Sequence, residues 1–182
     1  LSALRRQNPA QLRFHVLGAI MKLRLAVCNP QLVRAESTLD SSKQKAFAEL
    51  LDELLKNGHK VLVFSQFVRH LELIRPILEE RRVSYHYLDG STPAKERAEA
   101  VAAFQRGERD VFLISLRAGG LGLNLTAANY VIHLDPWWNP AVENQASDRA
   151  HRLGQTKPVT IYRLVSQNTI ETKILDLHQK KR

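Results

Sequence analysis

Hydrophobic positions recur every three or four residues at the start of the chain. Leu12, Val16, Ile20, Leu23 and Val27 predict a helix over residues 1–34 that Asn29-Pro30 brings to an end. Residues 34–42 are polar and turn-like. Asp40 or Ser42 can cap a second helix, whose stripe is Phe47, Leu50, Leu51, Leu54 and Leu55 and whose end is marked by Asn57-Gly58. Beyond Gly58 the pattern becomes an alternation. Short apolar, β-branched runs at 60–64, 83–88, 110–114, 129–134 and 159–165 read as strands. Between and after them lie amphipathic stretches at 68–82, at 93–104 with Thr92 as its cap, from Asn139-Pro140 onward, and from Thr169 to the end with Ile170, Ile174 and Leu177 on one face. Strand, crossover helix, strand, repeated in this way, predicts an α/β fold: a parallel sheet covered by helices on both faces, with a helical lead-in before it. Ligands of such sheets sit at the carboxyl ends of the strands, so residues 65–67, 89–92, 115–126 and 135–139 are where chemistry is expected.

The stretch Gln145-Ala-Ser-Asp-Arg-Ala-His-Arg-Leu-Gly-Gln155 carries the sharpest candidate chemistry. With Asn139 as cap, Pro140 in the first turn and Gly154 just past the end, it reads as one helix. Gln145, Arg149 and Arg152 then share a stripe, with Ala146, Ala150 and Leu153 behind them. Two aligned guanidiniums suit a polyphosphate, since each planar fork stays charged and grips oxygens in pairs. Spacing alone is equally that of a solvated helix face. The loop 115–126 is rich in glycine: Gly120 and Gly122 let the backbone approach a phosphate, with Asn124 beside them and Arg117 to supply charge. It is not a P-loop, because no Gly-Lys pair occurs in the chain, and a tight turn needing glycine for packing explains it as well. Ser65 and Thr92 are small hydroxyls after strands, able to bond phosphate oxygens or to cap helices. Trp137-Trp138 can stack against a nucleic acid or cover the sheet edge. The seven histidines lack metal-ligand spacing, and no metal site is assigned.

Composition adds a partner class. The 182 residues carry 27 Lys and Arg against 18 Asp and Glu, a formal charge of +9 spread along the chain, which points to nucleic acid more than to a membrane surface. No apolar run reaches bilayer-spanning length. Cys28 is the only cysteine, so an intrachain disulfide is excluded and a reducing compartment fits. The expectation is a soluble intracellular protein, cytoplasmic and nucleoid-associated in a bacterium or nuclear in a eukaryote.

In order along the chain, Met21-Lys-Leu-Arg-Leu-Ala-Val-Cys-Asn-Pro-Gln-Leu-Val33, Val61-Leu-Val-Phe-Ser-Gln-Phe67, Tyr87-Leu-Asp-Gly-Ser-Thr92, residues 113–126, Asp135-Pro-Trp-Trp-Asn-Pro140 and residues 145–155 resemble the C-terminal helicase-like lobe of the Swi/Snf family of ATP-driven double-stranded DNA translocases, in helicase superfamily two. The resemblance covers nearly the whole chain. It implies a RecA-like lobe at 41–182 preceded by a lead-in or linker at 1–40, working with a first lobe that binds ATP and Mg²⁺. Arg149 and Arg152 would be arginine fingers for that ATP, and Gln145 would place them or the attacking water. Gly120, Gly122 and Asn124 would lie on the nucleotide side. Ser65, Thr92, Ser115 and Arg117 match positions along one DNA strand, and Trp138 matches a tryptophan at the minor groove. The Lys loop and acidic Mg²⁺ motif of the first lobe are not present, so the chain is expected to be inactive alone. Leu116 stands where the family usually has Thr, which leaves a phosphate contact there to Ser115 and the backbone. Two other readings remain open: a lobe of a strand-separating DNA or RNA helicase, and a non-catalytic nucleic-acid-binding module.

Overall fold

The structure, a computed structural model, describes residues 9–119 and 122–180. Helix α1 runs Pro9–Cys28; residues 1–8 of the expected lead-in lie outside the described residues. Asn29 ends it and accepts from Gln31 N to start the 3-10 turn Pro30–Leu32. Helix α2, Ser42–Lys56, is capped by Ser41, whose Oγ accepts from Gln44 N at 3.3 Å, and not by Asp40 or Ser42. Ser41 Oγ also donates to Cys28 O, so the cap ties α2 to the end of α1. Gly58, at φ +71, turns the chain out of α2 as a left-handed residue must.

Five strands follow: β1 Val61–Ser65, β2 Tyr85–Leu88, β3 Val111–Ser115, β4 Tyr130–His133 and β5 Thr160–Arg163. All pair in parallel, in the order β2-β3-β1-β4-β5. The connections carry α3 Val68–Glu80, α4 Ala94–Gln105, α5 Leu116–Gly119 and α6 Pro140–Ser147, and α7 Ile170–Lys180 closes the lobe. The central strands β1 and β3 are buried along their whole length because helices cover both faces. Leu62, Phe64, Phe112, Ile114 and Val131 meet Phe104 of α4, Leu116 and Ala118 of α5 and Ala146 of α6. Val61, Val63, Val111, Leu113 and Ile132 point the other way, onto Phe47, Leu51 and Leu54 of α2 and Leu71, Ile74 and Leu78 of α3. The alternation is the period of two that a pleated strand imposes.

Details differ from expectation where local polar chemistry wins. The second strand starts at Tyr85 because Arg82, at φ +56, turns the chain after α3. Pro93, not Thr92, caps α4, and no side chain bonds the helix end. Thr92 Oγ1 instead accepts from Asp89 N at 3.1 Å, closing the turn after β2. The glycine-rich segment opens with the single turn of α5, and Ala118 N donates to Ser115 Oγ.

Candidate functional site

The segment holding the two arginines is not one helix. Helix α6 is set up as its sequence predicts, with Asn139 Oδ1 accepting from Ala141 N and Pro140 in the first turn, but it stops at Ser147 with Asp148 as C-cap. A buried bond stands at the break, between Ser147 Oγ and Nε2 of His133 on β4, at 2.9 Å. The chain then continues as turns that are stitched to the loop after α5. Leu125 N donates to Arg149 O at 2.9 Å, and Gln155 Nε2 donates to the carbonyls of Thr126, Ala128 and Ala150. Ala146 and Ala150 are buried as expected, while Leu153 is fully exposed.

An open cleft of about 860 Å³ results, lined by Asn124, Gln145, Asp148, Arg149, His151, Arg152 and Leu153. It is made by the end of α6 and the loop after α5, and not by strand ends. Arg149 is 7% exposed and its Nε has no partner. Burial holds the Arg149 guanidinium below its ordinary pKa, and the positive charge of Arg152 adds to this, so the two cations share one field. Arg152 is exposed, and its Nη1 donates to Gly122 O at 3.1 Å and more loosely to Leu123 O. Gly122 holds φ +73, a left-handed position that suits glycine. Gln145 and Asn124 face the same opening. Gly120 lies outside the described residues. Two guanidiniums lining one open cleft fit a polyphosphate.

The strand ends form a second surface. Thr92 is half-buried and Arg117 is exposed on α5. The hydroxyls of Ser65 and Ser115, expected on the DNA side, are bonded within the chain here. Ser65 is 1% exposed, its Oγ donating to Asp135 and accepting from Phe67 N, and Ser115 is buried against α5. Asp135 joins the ends of β1 and β4. It accepts from Ser65 Oγ, Gln66 N and His70 Nδ1. Burial would raise this carboxyl, but bonds from His70, Ser65 and Gln66 outweigh it and leave it below the ordinary carboxylate range.

Trp137 and Trp138 are both partly exposed, on a segment bonded from several sides. Glu143, buried on α6, accepts from Trp137 N at 2.6 Å and from Arg163 Nε of β5 at 2.8 Å. His178 of α7 bonds Trp137 O. Arg24 of α1 donates to Pro136 O at 3.2 Å, and its guanidinium stands 5.5 Å from the Phe67 ring, 5.5 Å from Trp137 and 5.0 Å from Trp138. Sequence reasoning assigned nothing to Arg24, Glu143 or His178. One signal was present: Arg24 is a charge set among the apolar positions Ile20, Leu23 and Val27.

Cys28, His70 and Asp135 bring ligand-type atoms within 4.8 Å of one another. Burial, then Asp135, push the Cys28 thiol strongly toward its protonated form. Arg24 and Lys43 lie in the same neighbourhood, and Asp135 already accepts three bonds. A buried site with two cations beside it is a poor host for a metal ion.

Residues 42–154 match the family model described as the helicase conserved C-terminal domain. The chain is 51% identical over 143 residues to the human chromatin-remodeling ATPase INO80, covering 78% of this chain and 9% of that protein. It is 39% identical over 170 residues to an uncharacterized ATP-dependent helicase of Mycoplasma pneumoniae, covering 92% of this chain and 16% of that one. It therefore spans less than a fifth of either relative's length. Among solved structures, the Sulfolobus solfataricus SWI2/SNF2 ATPase core in complex with dsDNA superposes over 100% of this chain and 39% of its own, with a TM-score of 0.85 and 33% identity. The chain belongs to the helicase conserved C-terminal domain family, in its Swi2/Snf2 branch.

Proposed function

We propose that this chain is the second lobe of an ATP-dependent motor that moves along double-stranded DNA, acting with a first lobe that holds the nucleotide. The observation that carries this reading is the Arg149–Arg152 pair lining one open cleft together with Gln145. In the closed motor, Arg149 and Arg152 neutralise charge developing on the γ-phosphate, and Gln145 places them or the attacking water. Finger arginines of this kind contribute on the order of 10³ to 10⁵ in rate. Asn124 and the Gly122 backbone border the same cleft from the glycine loop. Bound ATP supplies the phosphoryl group and Mg²⁺ supplies its countercharge; Asp148 is the one carboxylate among the residues lining the cleft, so the metal is assigned to the first lobe.

Duplex DNA runs past the strand ends, touching Thr92, Arg117 and Trp138. Ser65 and Ser115 shape that track from beneath, since their hydroxyls are bonded inward. Contacts to the backbone suit a motor that must step along any sequence, and the net charge of +9 favours the same partner. The similarity to the Sulfolobus solfataricus core, which was solved in complex with dsDNA, supports the choice of duplex. The work is done where DNA is, in the nucleus of a eukaryote or the nucleoid of a bacterium.

Translocation separates this reading from a strand-separating helicase. With the lobe joined to its nucleotide-binding partner lobe, a third strand should be displaced from a triplex by ATP-driven movement, while a forked duplex stays paired. Unwinding of the fork would favour the helicase reading instead.

A further inference from the structure

We propose that Arg24 is a positioning residue for the Trp137–Trp138 pair, fixing the ring of Trp138 where it meets DNA; the DNA half of this statement rests on the function proposed above. Arg24 is 4% exposed, although it is an arginine on a helix whose neighbouring positions Leu17, Met21 and Leu23 are exposed. Its charge is not matched by an ion pair among the described residues. It is held by three aromatic faces, Phe67, Trp137 and Trp138, and by Pro136 O. Burial lowers its pKa, with Asp135 opposing that shift. A guanidinium stacks flat on rings and donates in its own plane, so one side chain fixes both the backbone of the loop and the faces of its indoles. Lysine has neither property.

The remaining polar bonds fix the loop backbone, and Trp137 also packs against the core, but none of them holds the ring of Trp138. Trp137 N is taken by Glu143 and Trp137 O by His178. Trp138 is partly exposed and borders an open apolar groove of about 430 Å³ with Leu17, Ile20, Met21 and Arg24 of α1. With Arg24 shortened, nothing charged holds that ring away from the groove, and it can settle into it. The placement of a DNA-facing residue at the end of β4 is thus set by a helix from the opposite end of the sequence.

The chain itself supplies the readout, because Trp137 and Trp138 are its only tryptophans. Arg24→Met and Arg24→Lys are compared with the wild-type 182-residue chain by indole emission, acrylamide quenching and anisotropy on a short blunt DNA duplex. Circular dichroism verifies the fold. The expected result is a shifted emission maximum and altered quenching in both variants, with DNA affinity weakened about tenfold, the size of one lost aromatic contact. Arg24→Lys should not rescue, which separates ring placement from charge. Emission and quenching equal to wild type overturn the positioning role. Altered emission with wild-type DNA affinity overturns its link to DNA. Where Arg24→Met does not fold, Arg24→Lys alone decides by the same criteria. If the wild type binds no duplex, the proposed DNA track fails, while the emission comparison still judges the placement of the rings.

Discussion

Arg149 and Arg152 are adjacent in space but differently kept. Arg152 is exposed and rests on the carbonyls of Gly122 and Leu123, whereas Arg149 is buried to the level of its head group and keeps an unpaired Nε. Geometry of the fork therefore matters more at Arg149. Arg149→Lys, which retains charge without the planar pair of donors, is expected to lower turnover of the complete motor by at least about 10²-fold with little change in melting temperature. Turnover within a few-fold of wild type would show that charge alone suffices there.

His133 is a second residue whose environment dictates behaviour. Buried between the Phe64 ring and Ser147, it is lowered from 6.5 to about 4, chiefly by burial, with Glu143 and Asp135 opposing and Arg163 adding. The unfolded histidine takes up its proton below 6.5 and the folded one does not until about 4. Stability present at neutral pH is therefore lost progressively as pH falls through that window, by up to on the order of 3 kcal/mol. Denaturant melts at stepped pH should show this slope, and His133→Gln should flatten it. Asp135, held below the ordinary carboxylate range, adds a further loss only at more acid pH. Arg149 and Arg152 stood out in the sequence through the motif at 145–155, since their spacing alone also fits a solvated helix face. Their different burial was not legible there, since it follows from where the turns after α6 pack against the loop after α5.

At the scale of elements, the strands were legible because each is a short apolar run bounded by polar turns. Their ends and the helix caps were less so: Ser41, one residue from the expected caps, took the role because Cys28 O gives its hydroxyl a second bond. Periodicity alone overextends the arginine helix, because the helical pattern through Leu153 carries no sign of the long-range bonds that accompany its end at Ser147. Helix α7 is tied to α2 by Lys43, whose Nζ lies 2.6 Å from Glu171 Oε1 and 2.9 Å from Leu134 O, all buried. Removing one partner strands the other charge. Lys43→Met or Glu171→Leu alone should cost about 3–5 kcal/mol, and the double variant markedly less than the sum. Additive losses in urea melts would mean that the pair is not coupled.

Over the whole molecule, the two surfaces proposed for ATP and for DNA sit on one lobe. One is the arginine cleft at the end of α6, the other the strand-end surface with Thr92, Arg117 and Trp138. Helix α6 begins two residues after Trp138 and ends two residues before Arg149, eight residues or roughly 12 Å of rigid helix. With a net charge of +9, the proposed DNA binding is expected to weaken as salt rises. Arg117→Ala should weaken it uniformly across sequences and reduce the slope of log K against log salt by about 0.9. A sequence-selective loss would contradict a backbone role.

The most direct measurement is DNA-stimulated ATP hydrolysis by the complete motor, wild type beside Arg149→Ala and Arg152→Ala, with duplex affinity measured in parallel. If the arginines complete an active site formed with the partner lobe, turnover falls by about 10³-fold or more in each variant while duplex affinity stays close to wild type. Turnover that survives both substitutions would contradict the role given to the cleft and leave the pair as a charged turn on a DNA-binding lobe.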